Sequence, residues 1–182
     1  ESTSRPYEDG TFEHTPWSEG ETNNYDGLST VAGQGHTHGV TYTTFNSEIW
    51  KLAGLLRTEN TVSKNWSSNA AGDGAINDPI HATDNSTNLS WSVTSFANAW
   101  ITDGPKAGAV NRTDEATPES WSWGFSFDGF KNYTRSETRS TFNKNIWKNF
   151  GKTVTLQTET TSASSRDEAH AWQVGKQFSP DI

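Results

Sequence analysis

From Trp121 to Phe127 the chain alternates without a break. Trp121, Trp123, Phe125 and Phe127 are aromatic, and Ser122, Gly124 and Ser126 stand between them. Successive side chains of a β-strand point to opposite faces. The segment is therefore committed to a strand with four rings on one face and almost no side chain on the other. A helix would scatter the rings around its circumference. The small face is left to pack closely on another backbone or to lie in water. Asp128-Gly129 then supplies a turn signal.

Weaker periodicities fill in the rest. Val40, Tyr42 and Thr44 alternate, as do Leu89, Trp91 and Val93, and Val154, Leu156, Thr158 and Thr160. Phe45, Ile49, Leu52 and Leu56 follow helical spacing and predict a helix over 45–57, capped by Thr44 or Ser47. Phe142, Ile146 and Phe150 predict a second, with Ser140 as N-cap and Gly151 at its C-terminal end. Ser165 with Glu168 matches a capping box for a short third helix carrying Ala169 and Trp172. The stretch from Asn65 to Asn88, rich in Asn, Asp, Gly, Ala and Ser, reads as a long loop. No internal repeat is expected. These elements predict a mainly β fold, an antiparallel β-sandwich with two or three short helices, with α+β as the alternative.

Only 30 % of the residues are apolar, but nine Trp, nine Phe and four Tyr supply a core with few side chains. The chain is therefore expected to fold. It contains no Cys and no Met. That excludes disulfides, Cys-ligated zinc and thiol chemistry together. A sulfur-free chain beginning at Glu1 reads as the trimmed product of an exported precursor, secreted or held at the cell surface. No apolar run approaches the ~20 residues of a membrane-spanning helix, so no transmembrane segment is expected.

The net charge of −8 is unevenly spread. Residues 1–27 carry seven acids against Arg5, and residues 131–152 carry six bases against Glu137. The first block contains Pro6 and Pro16 and no clear period, so it reads as an extended acidic N-terminal arm. Residues 28–182 read as a single β-rich domain. Tyr7, Phe12, Trp17 and Tyr25 are aromatic anchors along the arm. Lys144, Lys148 and Lys152 form a basic row on the second helix. An acidic arm and a basic helix suit docking of one copy on another. The overall negative charge disfavours nucleic acid.

Chemistry-bearing motifs are sparse. The chain has no G-x-S-x-G elbow, phosphate-binding loop or dinucleotide fingerprint, so the expectation is a non-enzymatic protein with no cofactor. The one metal candidate is His36-Thr-His38. Two imidazoles at i and i+2 on a strand share a face, and His14, His81 or Glu48 would complete the set. Such a site would make the chain a secreted metal-dependent enzyme. Asp73, Asn77, Asp78 and Asp84 offer oxygen ligands without the spacing of a regular calcium loop, and read as a solvated loop. Trp50, Trp121, Trp123 and Trp147 fall on apolar faces and are assigned to the core. Trp17, Trp66 and Trp172 are freer, and could stack on sugar rings in a carbohydrate-binding module or lectin. Asn65, Asn85, Asn88, Asn111 and Asn132 are N-glycosylation acceptors by sequence. The leading expectation is an extracellular structural protein that self-assembles, as a filament or surface-layer subunit, by strand addition of its arm to a neighbouring copy.

Overall fold

The computed structural model describes residues 17–25, 35–82 and 84–166. Seven antiparallel strands lie in one sheet in the order of the chain. They are β1 (Trp17–Tyr25), β2 (His36–Phe45), β3 (Thr58–Ser68), β4 (Thr87–Ser95), β5 (Glu119–Phe127), β6 (Tyr133–Phe142) and β7 (Thr155–Ser165). Helix α1 (Ser47–Ala53) links β2 to β3, and α2 (Lys144–Phe150) links β6 to β7. The fold is mainly β and antiparallel, with short helices, as the sequence predicts. A second sheet does not face the first among the described residues. Loops pack on one side of it instead, and the two helices sit at one end, where they link β2 to β3 and β6 to β7. No described helix is long and apolar enough to cross a membrane. The capping-box helix after Ser165 lies outside the described residues.

Two strands leave no alternating hydrophobic trace in the sequence. On the ring-bearing side of the sheet β3 offers only Val62 and Trp66 to the core, with Lys64 between them. β6 offers Tyr133, Arg135, Glu137 and Arg139, which sit beside Phe127, Phe125, Trp123 and Trp121 of β5. Pairing to a ring-rich neighbour holds these polar strands in place.

The expectation of no repeat is corrected. β2, α1 and β3 are matched in length and spacing by β6, α2 and β7, at one constant offset. Thr44-Phe45-Asn46 and Ile49-Trp50-Lys51 recur as Thr141-Phe142-Asn143 and Ile146-Trp147-Lys148, and Gly54 recurs as Gly151. Both hairpins shift register at the same place, between Thr44 and Phe45 and between Thr141 and Phe142. The predicted caps are corrected as well. Asn46 Oδ1 accepts from the Ile49 N–H at 3.0 Å and Asn143 Oδ1 from the Ile146 N–H at 3.1 Å. Each helix ends on a left-handed glycine, Gly54 at φ 64° and Gly151 at φ 63°.

The core has two parts. Trp66, Leu89 and Phe125 cluster on the sheet, with Val40, Ile76 and Tyr133 packed against them. At the helix end, Ile49, Trp50 and Trp147 are buried with Ala99 and Ala116 of the 96–118 loop. That loop sits between the repeated hairpins. Trp100 donates from Nε1 to the Thr58 carbonyl at 2.8 Å and meets Trp147 edge-on, centroids 5.2 Å apart. Arg57 lies over the Trp100 ring and donates to the Gly108 carbonyl at 2.6 Å. Asp114 pairs with Lys148.

Candidate functional site

The registers place the small side chains of β5 in a continuous surface. One cross-strand row reads Ser18, Thr43, Thr61, Thr94, Ser120, Ser140 and Thr158. The next reads Gly20, Thr41, Ser63, Ser92, Ser122, Thr138 and Thr160, and a third Thr22, Gly39, Asn65, Ser90, Gly124, Ser136 and Ser162. Across all seven strands these rows hold no charge and no large apolar group. Neighbouring hydroxyls bond to one another: Thr41 to Ser63 at 2.9 Å, Thr94 to Ser120 at 3.0 Å and Thr138 to Thr160 at 3.0 Å. A face that satisfies itself in this way offers a hydroxyl ladder about 4.8 Å from strand to strand.

The other face is mixed. Its rows run from Glu21, Val40 and Lys64 through Trp91 and Trp123 to Glu137 and Thr161. Trp91 and Trp123 pair with centroids 5.1 Å apart. Arg135 is buried beside Glu137, 3.5 Å away. Burial lowers its affinity for the proton, and the Glu137 charge partly restores it. The Tyr42 hydroxyl is raised above its ordinary value chiefly by its hydrogen bond to Glu19 on β1.

The two ends of the sheet differ. β1 carries Glu19 and Glu21, with Gly20 between them, and is mostly exposed. β7 is exposed from Thr155 to Ser164, contains no proline and carries Glu159 as its one charge. Natural edge strands are blunted by charges, proline or bulges. β1 is guarded in this way. β7 has a single charge over eleven residues and a register shift only at its first pair.

The predicted partner-binding residues are divided. Trp17 and Tyr25 lie on β1, 40 % and 52 % exposed, so residues 17–25 of the arm pair with their own sheet. Tyr7 and Phe12 lie outside the described residues. Lys144 is exposed on α2, Lys152 is exposed just before β7, and Lys148 is engaged by Asp114. Phe150, Val154 and Leu156 stand exposed among these lysines, Phe150 at 71 %.

The two histidines of the predicted metal pair share a strand face but serve different neighbours. His36 stacks on Tyr25 at 5.0 Å. His38 is buried, holds Glu21 through Nε2 at 2.9 Å and packs on Trp66 at 4.8 Å. His81 shares a cleft with His36, Glu48 lies on α1 and pairs with Lys51, and His14 is outside the described residues. Among the described residues no three His, Cys, Asp or Glu side chains gather as a metal would need. Asp73 is held by Asn69, and Asp84 caps its own loop through the Ser86 N–H.

Trp66 is corrected from a ligand platform to a core residue, 9 % exposed. Trp172 is outside the described residues. Of the candidate sequons, Asn65 donates to Ser90, Asn111 to the Asn98 carbonyl and Asn132 to Asp128, while Asn85 and Asn88 are exposed. The hydroxyl face and the β7 edge, bare among the described residues, leave little trace in the sequence because the first arises from register and the second from strand order. Only the Ser and Gly of β5 hinted at the first. Compared with known proteins, the chain matches no family model, no curated protein and no solved structure.

Proposed function

We propose that the protein is a structural subunit that self-assembles by strand addition at β7. The single observation that carries this reading is the long, exposed and almost uncharged edge of β7. Unpaired backbone N–H and C=O groups along such an edge are a template for another strand.

The added strand is the acidic segment 1–16 of a neighbouring copy. Its Glu1, Glu8, Asp9 and Glu13 complement the lysines beside β7, Lys144 and Lys152. Exposed Phe150 and Leu156 give Tyr7 and Phe12 apolar partners. The contact joins different surfaces of each copy, so repetition makes a ring or an open fibre. Secretion or display at the cell surface belongs to the same reading and rests on composition: a sulfur-free chain with several sequons.

Negative-stain microscopy and sedimentation velocity test it on the full chain, on a chain lacking residues 1–16 and on Leu156→Glu with Thr161→Glu. Oligomers that dissolve on truncation, on edge charging and in high salt are expected. Monodisperse monomers at every salt concentration would sink it. Oligomers that survive truncation but not edge charging would assign the contact to two β7 edges.

A further inference from the structure

At the end of the sheet away from the helices, the 69–86 loop folds back over β4, β5 and β6 and encloses a cleft of about 650 Å3. The volume is in the range of small-molecule sites. The cleft is lined on the sheet side by Phe125, Phe127 and Tyr133, and on the loop side by Asn77, Asp78 and Asn85. Phe127 stacks on Tyr133 with centroids 4.5 Å apart, and Tyr133 also meets Phe125.

The walls are preformed. Ala75 and Asp78 exchange both backbone hydrogen bonds at 3.0 Å, so Asn77 and Asp78 are fixed at a tight turn. The Ile80 N–H donates to the Ser67 carbonyl of β3 at 2.9 Å, and the Ala82 N–H to the Ser86 carbonyl at 3.0 Å. Ile76 packs on the central cluster. The loop is therefore tied to the sheet at its turn and its middle, and is closed on itself near its end.

The lining selects a class of ligand. It combines aromatic carbon with amide, carboxylate, imidazole and hydroxyl groups that both donate and accept. Among the described residues it contains no lysine or arginine, and Asp78 would repel an anion. An ammonium ligand is best held where ring faces surround it, and here the rings line one wall only, opposite the amides and carboxylate of the loop. A neutral pyranose matches both halves of the wall. Its apolar C–H face suits the rings, and its hydroxyls suit Asn77, Asp78 and Asn85.

We infer that this cleft binds an uncharged saccharide. The site is independent of the β7 edge and uses none of the tryptophans.

The test is ligand-observed NMR on the full chain with glucose, galactose, mannose, N-acetylglucosamine and their neutral oligosaccharides, beside glucuronate and choline. Binding of at least one neutral sugar is expected, weakened roughly tenfold by Asp78→Ala, which removes a charged acceptor. Phe127→Ala should weaken it further. Asp78 is exposed, so its variant tests the site without disturbing the core, and circular dichroism checks Phe127→Ala. Leu52→Ala, on α1 at the opposite end and 60 % exposed, should leave binding unchanged. Binding of no neutral sugar, preference for glucuronate or choline, or full affinity in Asp78→Ala would each overturn the assignment.

Discussion

Asp128 shows how one side chain builds a turn. Its carboxylate accepts from the Phe130 N–H at 2.7 Å, from the Asn132 N–H at 3.0 Å and from Asn132 Nδ2 at 2.5 Å. The Phe130 bond, then the two from Asn132, hold its carboxyl below its ordinary 3.8. A carboxylate depressed in the folded state stabilises it fully above the unfolded value. The contribution fades as pH falls through the folded value. Urea midpoints of the native protein and of Asp128→Asn should therefore differ most near neutral pH and converge as pH drops below about 4. A difference that stays constant across that window would show that the charge is not what the turn uses.

The repeated hairpins explain what the sequence showed and what it hid. Both helices were visible, because Phe45, Ile49 and Leu52 and, later, Phe142, Ile146 and Phe150 keep helical spacing. Their caps were not, because Asn46 and Asn143 compete with nearby Ser and Thr that cap equally well in isolation. The strand β5 was legible because its rings are consecutive on one face. β3 and β6 were not, since their core-side positions include Lys64, Arg135, Glu137 and Arg139. The repeat stayed hidden because its identities gather at the helices, while the strands share little beyond Ser and Thr. Equivalent roles predict equivalent costs. Asn46→Ala and Asn143→Ala should each lower stability by about 1 kcal/mol. Trp147→Ala, at a site 1 % exposed, should cost about 3–5 kcal/mol. Denaturant titration measures all three. A cap substitution that matters in one hairpin and not in the other would break the equivalence.

Over the whole molecule, stability should fall from the middle of the sheet to its edges. Val62, Trp66, Leu89, Val93 and Phe125 bury β3, β4 and β5, whereas β7 is exposed along nearly its full length. Local opening costs least where few apolar contacts must be broken. The amides of β3 to β5 should therefore exchange slowest, and those of β1 and β7 fastest, in dilute protein. Concentration then separates an edge that is merely loose from one that receives a strand. As the protein is concentrated, the β7 amides that face away from β6 should gain protection, because each would donate to a carbonyl of the added strand. The β1 amides, guarded by Glu19 and Glu21, should exchange as before. Salt should reverse the gain by screening the lysines beside β7 from the acidic segment. Equal protection of both edges on concentration would point to a contact through the sheet faces. The hydroxyl face, uncharged across all seven strands, would then be the surface that copies share.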